Sequence, residues 1–260
     1  MSAISEIVSR RYLLCQLASR EIKARYKQSY LGIGWAVVQP LAMMAVFSII
    51  FTKVLPVEIK GGYAYPVFVY SGLLSWGLFA RSLTLLTDAM VSNADLIRKI
   101  YFPREVILLA GLAGRLVDFG IAFAVYVGLM IIFRVPPTVH FLWAAPVVLV
   151  VLALTLGVCL FTSALEVWRR DVRSVVALIA QVWFYATPIV YPLDRVPEQW
   201  RWVSRINPMT GAVEGFKSAV LYGQTPDLGL LGISAASALA VLLLGYLFFC
   251  RAERSFADVI

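Results

Sequence analysis

The sequence is poor in charge and rich in apolar side chains. Only 15% of its 260 residues are charged and 61% are hydrophobic, whereas a soluble domain has about 25% charged and about 45–50% apolar residues. Such a chain needs an apolar solvent, which the lipid bilayer supplies. Little chain is left for a separate soluble domain. We therefore expect an integral membrane protein with one transmembrane domain over residues 1–260.

Residues for catalysis are also scarce. Histidine occurs once, as His140, and the three cysteines, Cys15, Cys159 and Cys250, have no close metal-ligand partners. These residues cannot assemble a zinc site or a histidine-based triad within one chain. The stretch 211–218 lacks the spacing of a phosphate-binding loop, in which lysine directly follows the second glycine. The chain is therefore expected to be no enzyme and to hold no metal or cofactor.

Long apolar runs are what the sequence does contain. Each is near the roughly 20 residues that a membrane span needs, and a span must be helical because only a helix satisfies its own backbone in lipid. The sequence thus predicts an all-α polytopic protein with six transmembrane helices. The predicted spans are 35–54, 66–86, 106–133, 141–165, 174–193 and 228–250.

The net charge of +8 follows the membrane pattern rather than a nucleic-acid surface. With both termini on one side, fourteen lysines and arginines lie on that side and seven, Lys217 among them, on the other. Positive charge accumulates on the cytoplasmic side. Both termini are therefore predicted to be cytoplasmic, and nucleic acid is not an expected partner.

Three segments outside the spans are predicted to be helical. Residues 1–34 are predicted to include an N-terminal helix in the membrane interface, with packing on the protein's own cytoplasmic face as the alternative. Between the last two spans, a short helix over 196–206 and a second one, capped by Thr210 and ending near Gly223, suggest re-entrant elements in the outer leaflet. A simple surface loop is the alternative there.

The cytoplasmic segment 92–104 carries a more specific signal. Ser92 and Asp95 have the spacing of a capping box, and Pro103 stops the helix that follows. Its apolar side chains then face either lipid or a partner. Those side chains are Leu96, Ile97, Ile100, Tyr101 and Phe102.

Two ionisable residues fall within the third span. Arg115 and Asp118 are three residues apart with opposite charge, so they share one helix face. A mutual ion pair that braces the helix is favoured over an ion path.

Several motifs together resemble the membrane subunits of type-2 ABC exporters, which export O-antigen polysaccharide and teichoic acid. The similarity covers nearly the whole chain, with the motifs in the family's order. They are Arg20–Gly32 with Trp35 and Gln39–Pro40, Asn93–Lys99 with Tyr101–Glu105, Arg170–Arg173, Thr187–Pro192 and Asn207–Met209.

The resemblance implies a half-transporter in the bacterial inner membrane. Two copies would pair with two separate ATP-binding subunits, which hold ATP and Mg, and move a glycan on a polyprenyl diphosphate lipid. Coupling to the ATPase would use Asn93, Asp95, Leu96, Ile97, Arg98, Lys99, Ile100, Tyr101, Arg104, Arg170, Asp171 and Arg173. Aromatic residues would line the channel, with Tyr30, Trp35, Tyr70, Trp76, Phe79, Trp183, Phe184, Tyr185 and Tyr191 as candidates. The lipid diphosphate could meet Arg20, Lys23, Arg25 and Lys27.

Three other classes of protein compete with this interpretation. An ion-coupled secondary transporter would need a buried carboxylate that is essential for transport. A membrane-embedded glycosyl- or acyltransferase would need acids or histidines clustered at one membrane face. A structural membrane scaffold is the third.

Overall fold

The computed structural model describes residues 11–27, 34–99 and 102–256, and every regular element in this part of the chain is a helix. The prediction of an all-helical membrane protein is confirmed to that extent. The helices are α1 Arg11–Lys27, α2 Gly34–Ile49, α3 Tyr65–Thr87, α4 Ala89–Ser92, α5 Ala94–Lys99, α6 Glu105–Ile132, α7 Ala144–Trp168, α8 Val172–Ala186, α9 Arg201–Ile206, α10 Pro208–Val220 and α11 Leu228–Ala252.

Four helical stretches among the described residues are long and apolar enough to cross a membrane. They are Gly34–Val54, Glu105–Ile132, Val139–Trp168 and Leu228–Ser255. Helix α3, with 23 residues, is long enough but less apolar. Helix α8 has 15 residues, about 22 Å of helix, which is shorter than the roughly 30 Å hydrocarbon core. Four of the six predicted spans are thus supported by length and composition.

Helix α3 is less apolar than the other long helices because it lies inside the bundle. It contacts α2, α6, α7, α8 and α10, and most of its side chains are buried. Its buried hydroxyls bond to the preceding turn of their own helix: Ser71 Oγ donates to Phe68 O at 2.7 Å, and Ser82 Oγ to Leu78 O at 2.6 Å. A helix that meets other helices rather than lipid can carry such groups.

Glycines allow a close helix crossing between α7 and α11. A Cβ atom added to Gly157 would lie 2.6 Å from the backbone of Leu242, and one added to Gly245 would meet the backbone of Gly157. Small residues commonly let transmembrane backbones approach in this way. The crossing holds the two longest apolar helices of the C-terminal half together.

The outer segment forms two short helices, but its cap differs from the prediction. The N-cap of α10 is Asn207, whose Oδ1 accepts from Met209 N at 3.0 Å, and Pro208 occupies the first turn. Thr210 lies inside the helix, where its buried hydroxyl has no partner among the described residues. Helix α10 is buried against α3, α7 and α11, so the alternative of a simple surface loop is wrong.

Helix α1 packs on the body of the protein. It contacts α6, with Leu14 and Leu17 against the core, and Arg20 Nη2 donates to Asn93 Oδ1 at 3.3 Å. For the described part of the N-terminal segment, these contacts favour packing on the protein over a helix that lies free in the interface. Lys23 is exposed, while the side chains of Arg25 and Lys27, together with Tyr30, lie outside the described residues.

Candidate functional site

The segment predicted to couple to the ATPase is helical but begins differently. Ser92 is the last residue of α4, and its hydroxyl donates back to Ala89 O at 3.3 Å. The chain turns at Asn93, whose backbone oxygen accepts from the N–H groups of Leu96 and Ile97 at 3.0 and 3.1 Å. The predicted capping box is therefore wrong, because Ser92 bonds within the preceding turn.

The faces of α5 also differ from the prediction. Ile97 is 8% exposed and Phe102 is buried, so both face the protein's own body, and Leu96 packs partly against the same core. A short helix beneath a bundle buries its apolar side against that bundle most easily. The exposed face carries Asp95, Arg98 and Lys99; the predicted contacts Ile100 and Tyr101 lie outside the described residues.

A second cytoplasmic segment meets the same end of the bundle. Arg173, near the start of α8, lies 3.6 Å from Asp88 at the end of α3. Its backbone N–H donates to Glu166 Oε2 of α7 at 2.7 Å. These contacts tie α3, α7 and α8 at one point beside α4 and α5. The neighbouring Arg170 and Asp171 are exposed.

Arg104, also predicted for coupling, contacts the protein's own C-terminal part. Its guanidinium donates to the backbone oxygen of Glu253 and lies 5.4 Å from the ring centroid of Phe256. This links the start of α6 to the turn that follows α11. The role of Arg104 in this structure is therefore internal.

A groove of about 370 Å³ opens between α2, α3 and α8. Three of the predicted channel aromatics line it: Trp76, Phe184 and Tyr185. Tyr185 is 62% exposed, so its ring is free on one side. Trp35, at the start of α2, is also exposed. The polar lining of the groove consists of Gln39, Arg81, Thr84 and Gln181.

Two predicted channel aromatics are core residues instead. Phe79 is fully buried, and so is Tyr70, whose hydroxyl donates to Ala122 O at 3.2 Å while its ring stacks on Tyr126. Both belong to α3, which other helices surround, so their faces meet protein. This burial removes Tyr70 and Phe79 from the candidate lining.

Two further aromatics hold the outer segment. Trp183 Nε1 donates to Asn207 Oδ1 at 2.8 Å, and Tyr191 donates its hydroxyl to Tyr185 O at 2.9 Å. Asn207 Nδ2 in turn donates to Thr187 Oγ1 at 3.0 Å. The polar groups of these side chains are thus used within the protein, which leaves only ring faces for a ligand.

Lys217 is a structural residue that the sequence analysis placed among the outer loop charges. It is fully buried in α10, 3.0 Å from Glu214 Oε1, 2.5 Å from Pro188 O and 4.1 Å from the ring centroid of Phe68. Burial lowers the pKa of the Lys217 ammonium, and Glu214 opposes that shift. The spacing of Glu214 and Lys217, three residues apart on a helix, is the signal that could have identified the pair.

Lys217 and Asn207 together fix the extended chain that follows α8. Lys217 binds the backbone at Pro188, and Asn207 binds Thr187. On the other side, a Cβ atom added to Gly72 of α3 would lie 2.9 Å from Ile189 O. The chain 187–190 is therefore held between α3 and α10.

Arg115 and Asp118 form an ion pair in α6. Arg115 Nη1 lies 2.9 Å from Asp118 Oδ2, with the two side chains 15% and 9% exposed. The pair lines a small cavity that Arg81 also lines. Within the described residues no group of three or more His, Cys, Asp or Glu side chains could hold a metal ion.

Comparisons with known proteins place this architecture in a family. Residues 12–221 match the model of the ABC-2 type transporter family. The chain is 29% identical to the O-antigen export system permease protein RfbA of Klebsiella pneumoniae over 95% of each chain. It is 29% identical to RfbA of Myxococcus xanthus, over 99% of this chain and 98% of that one.

A more distant relative is named for a different cargo. The polysialic acid transport protein KpsM of Escherichia coli is 24% identical, over 91% of this chain and 92% of that one. The family match runs from α1 to the end of α10, so it covers the segment predicted for coupling, the groove, and the contacts of Lys217 and Asn207 with the chain 187–190. The chain therefore belongs to the ABC-2 type transporter family.

Proposed function

We propose that this chain is the membrane-spanning subunit of an ATP-driven exporter that moves a polysaccharide on a polyprenyl diphosphate lipid across the bacterial inner membrane. The observation that carries the proposal is similarity along almost the whole chain to relatives named for O-antigen export and polysialic acid transport. The groove supports it, because an exposed ring such as Tyr185 can stack on the C–H faces of sugars without selecting one sequence.

A second copy of the chain completes the channel in this proposal. Helices α2 and α8 flank the groove, and both expose apolar side chains, including Val46 on α2 and Leu178 and Val182 on α8. A copy that faces this side would turn an open groove into a closed passage. Contiguous exposed apolar surface is also what subunit and lipid contacts use.

The ATPase is a separate subunit, where ATP and Mg act. Its docking face on this chain is the exposed polar side of α5 with the start of α8. Force applied there reaches α3, α7 and α8 at once through the contacts of Arg173 with Asp88 and Glu166. The residues of this face are Asp95, Arg98, Lys99, Arg170, Asp171 and Arg173.

The proposed topology has six spans, with both termini cytoplasmic. Helix α3 is the second span, surrounded by protein. Helix α8 and the extended chain 187–190 together make the fifth, because α8 alone is too short. Helix α10 enters the outer leaflet without crossing it, which suits its 13 buried or partly buried residues.

Genetic complementation with a matched ATPase variant tests the function. Cells that lack this chain should accumulate lipid-linked glycan on the cytoplasmic side, and the chain should restore surface glycan. Restoration should fail when the ATP-binding subunit carries a substituted phosphate-loop lysine. Restoration with that inactive subunit, driven instead by an ion gradient, would support the secondary-transporter alternative and defeat the proposal.

A further inference from the structure

Arg81 lies where two cavities meet. Its side chain lines both the groove between α2, α3 and α8 and the small cavity that contains the Arg115–Asp118 pair. Within the described part of the chain, no hydrogen bond or ion pair of its guanidinium lies within contact distance, and the Asp118 carboxylate attracts it electrostatically from farther away. A guanidinium offers five N–H donors, and in a groove of this kind they are available to a ligand.

The charges around Arg81 do not balance. Among the described residues, the two cavities are lined by two guanidinium groups, Arg81 and Arg115, and by one carboxylate, Asp118, which Arg115 contacts at 2.9 Å and which also attracts Arg81. In the same part of the chain, no acidic side chain lines the groove itself. Cations at membrane depth are costly and usually face a partner or a functional cavity. One guanidinium more than the carboxylates among the described lining residues makes the groove suited to an anionic ligand.

The other polar groups of the groove suit an oxyanion with a sugar beside it. The side-chain amides of Gln39 and Gln181 add hydrogen-bond donors to the groove, whereas the Thr84 hydroxyl already donates to Ala80 O at 2.9 Å. The rings of Trp76 and Tyr185 lie along the same wall. Guanidinium groups bind phosphate oxygens in bidentate fashion, which favours a phosphate group over a neutral ligand.

The depth of Arg81 indicates that the ligand is lipid-anchored. Arg81 is six residues before the end of α3 at Thr87, about 9 Å along the helix axis. With that end at the cytoplasmic face, as the proposed topology has it, Arg81 lies in the cytoplasmic half of the span, where a long side chain can extend toward the lipid phosphates. An amphiphile can place its phosphate there while its hydrocarbon chain stays in the bilayer.

We propose that Arg81 is the phosphate-binding residue of the groove, and that it holds the phosphate group of a lipid-anchored ligand while the neighbouring rings contact the first sugars. The ligand's source rests on the proposed function, which would deliver a polyprenyl diphosphate. A phospholipid headgroup carries the same phosphate chemistry, and the experiment separates the two sources.

The test measures equilibrium binding to the full chain in nanodiscs of zwitterionic phosphatidylcholine. The probes are a polyprenyl diphosphate and the corresponding uncharged polyprenol. The variants are Arg81→Gln and Arg81→Lys, with Lys53→Gln as the matched control. Lys53 is an exposed cation at the other end of a span, away from the groove.

We expect Arg81→Gln to weaken diphosphate binding by about tenfold or more, the usual worth of a hydrogen bond to a charged group. Arg81→Lys should lose less affinity for the diphosphate than Arg81→Gln does. Lys53→Gln should bind the diphosphate as tightly as the parent chain. Polyprenol binding should be equal in all four proteins. If Arg81→Gln binds the diphosphate as tightly as the parent chain, the proposal is overturned.

Two further measurements test the proposal if Arg81→Gln does not fold or if another lipid occupies the site. If Arg81→Gln does not fold, a parent chain that binds diphosphate and polyprenol equally would overturn the proposal by itself. Competition by phosphatidylglycerol that disappears in Arg81→Gln would support the phosphate site and assign it to bulk lipid. Binding is measured without ATP or export, so a failed export function and a failed phosphate site give different results.

Discussion

At the scale of single residues, two buried ion pairs do different things. Lys217 joins three parts of the chain, because its ammonium contacts Glu214, Pro188 O and the ring of Phe68. Arg115 and Asp118 pair with each other across one turn of α6. Loss of Lys217 should loosen the outer part of the bundle. Loss of one member of the Arg115–Asp118 pair should instead leave the other charge in α6 without this partner.

The substitution Lys217→Met should lower the stability of the folded chain. It keeps the length of the side chain but leaves Glu214 and Pro188 O without their cation. Breaking a buried pair costs roughly 3–5 kcal/mol, and the partial exposure of Glu214 reduces this to about 2–3 kcal/mol. Thermal unfolding in detergent would show the loss, with the exposed Lys60→Met as control. Equal melting temperatures of Lys217→Met and the parent chain would contradict the stabilising role of Lys217.

Removal of one member of the Arg115–Asp118 pair should also destabilise the chain. Asp118→Asn leaves Arg115 buried without its carboxylate, and a charge at membrane depth is costly. The double variant Arg115→Met, Asp118→Leu should recover much of the loss, because no charge remains. A stable but inactive Asp118→Asn that the double variant does not rescue would instead indicate an ion path.

At the scale of helices, apolar run length predicted the long spans well. Helices α6 and α11 begin within one residue of the predicted spans 106–133 and 228–250. Orientation within a helix was harder to predict, because it depends on which neighbours surround the helix. Trp76, which is 6% exposed, lines the groove, while Phe79, one turn away on α3, is fully buried and does not, and nothing local in the sequence distinguishes them.

The outer segment shows the same limit for caps and charges. Thr210 and Asn207 are both good N-cap residues, and only the position of Pro208 in the first turn favours Asn207. Lys217 looks like a loop charge when lysines are counted, yet it is fully buried. Composition reports how much charge a segment has, but tertiary contacts decide where that charge lies.

Helix α5 gives an element-scale prediction for docking of the ATPase. Because its exposed side is polar, Arg98→Glu with Lys99→Glu should weaken co-purification of the ATP-binding subunit by about tenfold, as charge reversal at an interface does. Ile97→Asp should instead reduce the yield of folded chain, since Ile97 faces the protein's own core. If the Ile97→Asp chain folds well but no longer binds the ATP-binding subunit, Ile97 contacts that subunit after all, and the docking face proposed here is wrong.

At the scale of the whole molecule, we propose that the groove forms one half of a passage between two copies of the chain. A glycan that slides past it should meet Trp76 and Tyr185 but not Tyr70. Tyr185→Ala should slow export about two- to tenfold with the complex still assembled, the worth of one ring contact. The control Tyr70→Phe should leave export unchanged. Equal export in Tyr185→Ala and the parent chain would remove this ring from the lining.

The central claim is that ATP hydrolysis in a partner subunit drives a lipid-linked glycan through this chain. The most direct measurement is translocation in proteoliposomes that contain only this chain, its ATP-binding subunit and a labelled lipid-linked polysaccharide. The account predicts that glycan becomes protected inside the vesicles only with the ATP-binding subunit outside, supplied with ATP and Mg, and that collapse of ion gradients changes nothing. Translocation without ATP that stops when a proton or sodium gradient is removed would contradict it.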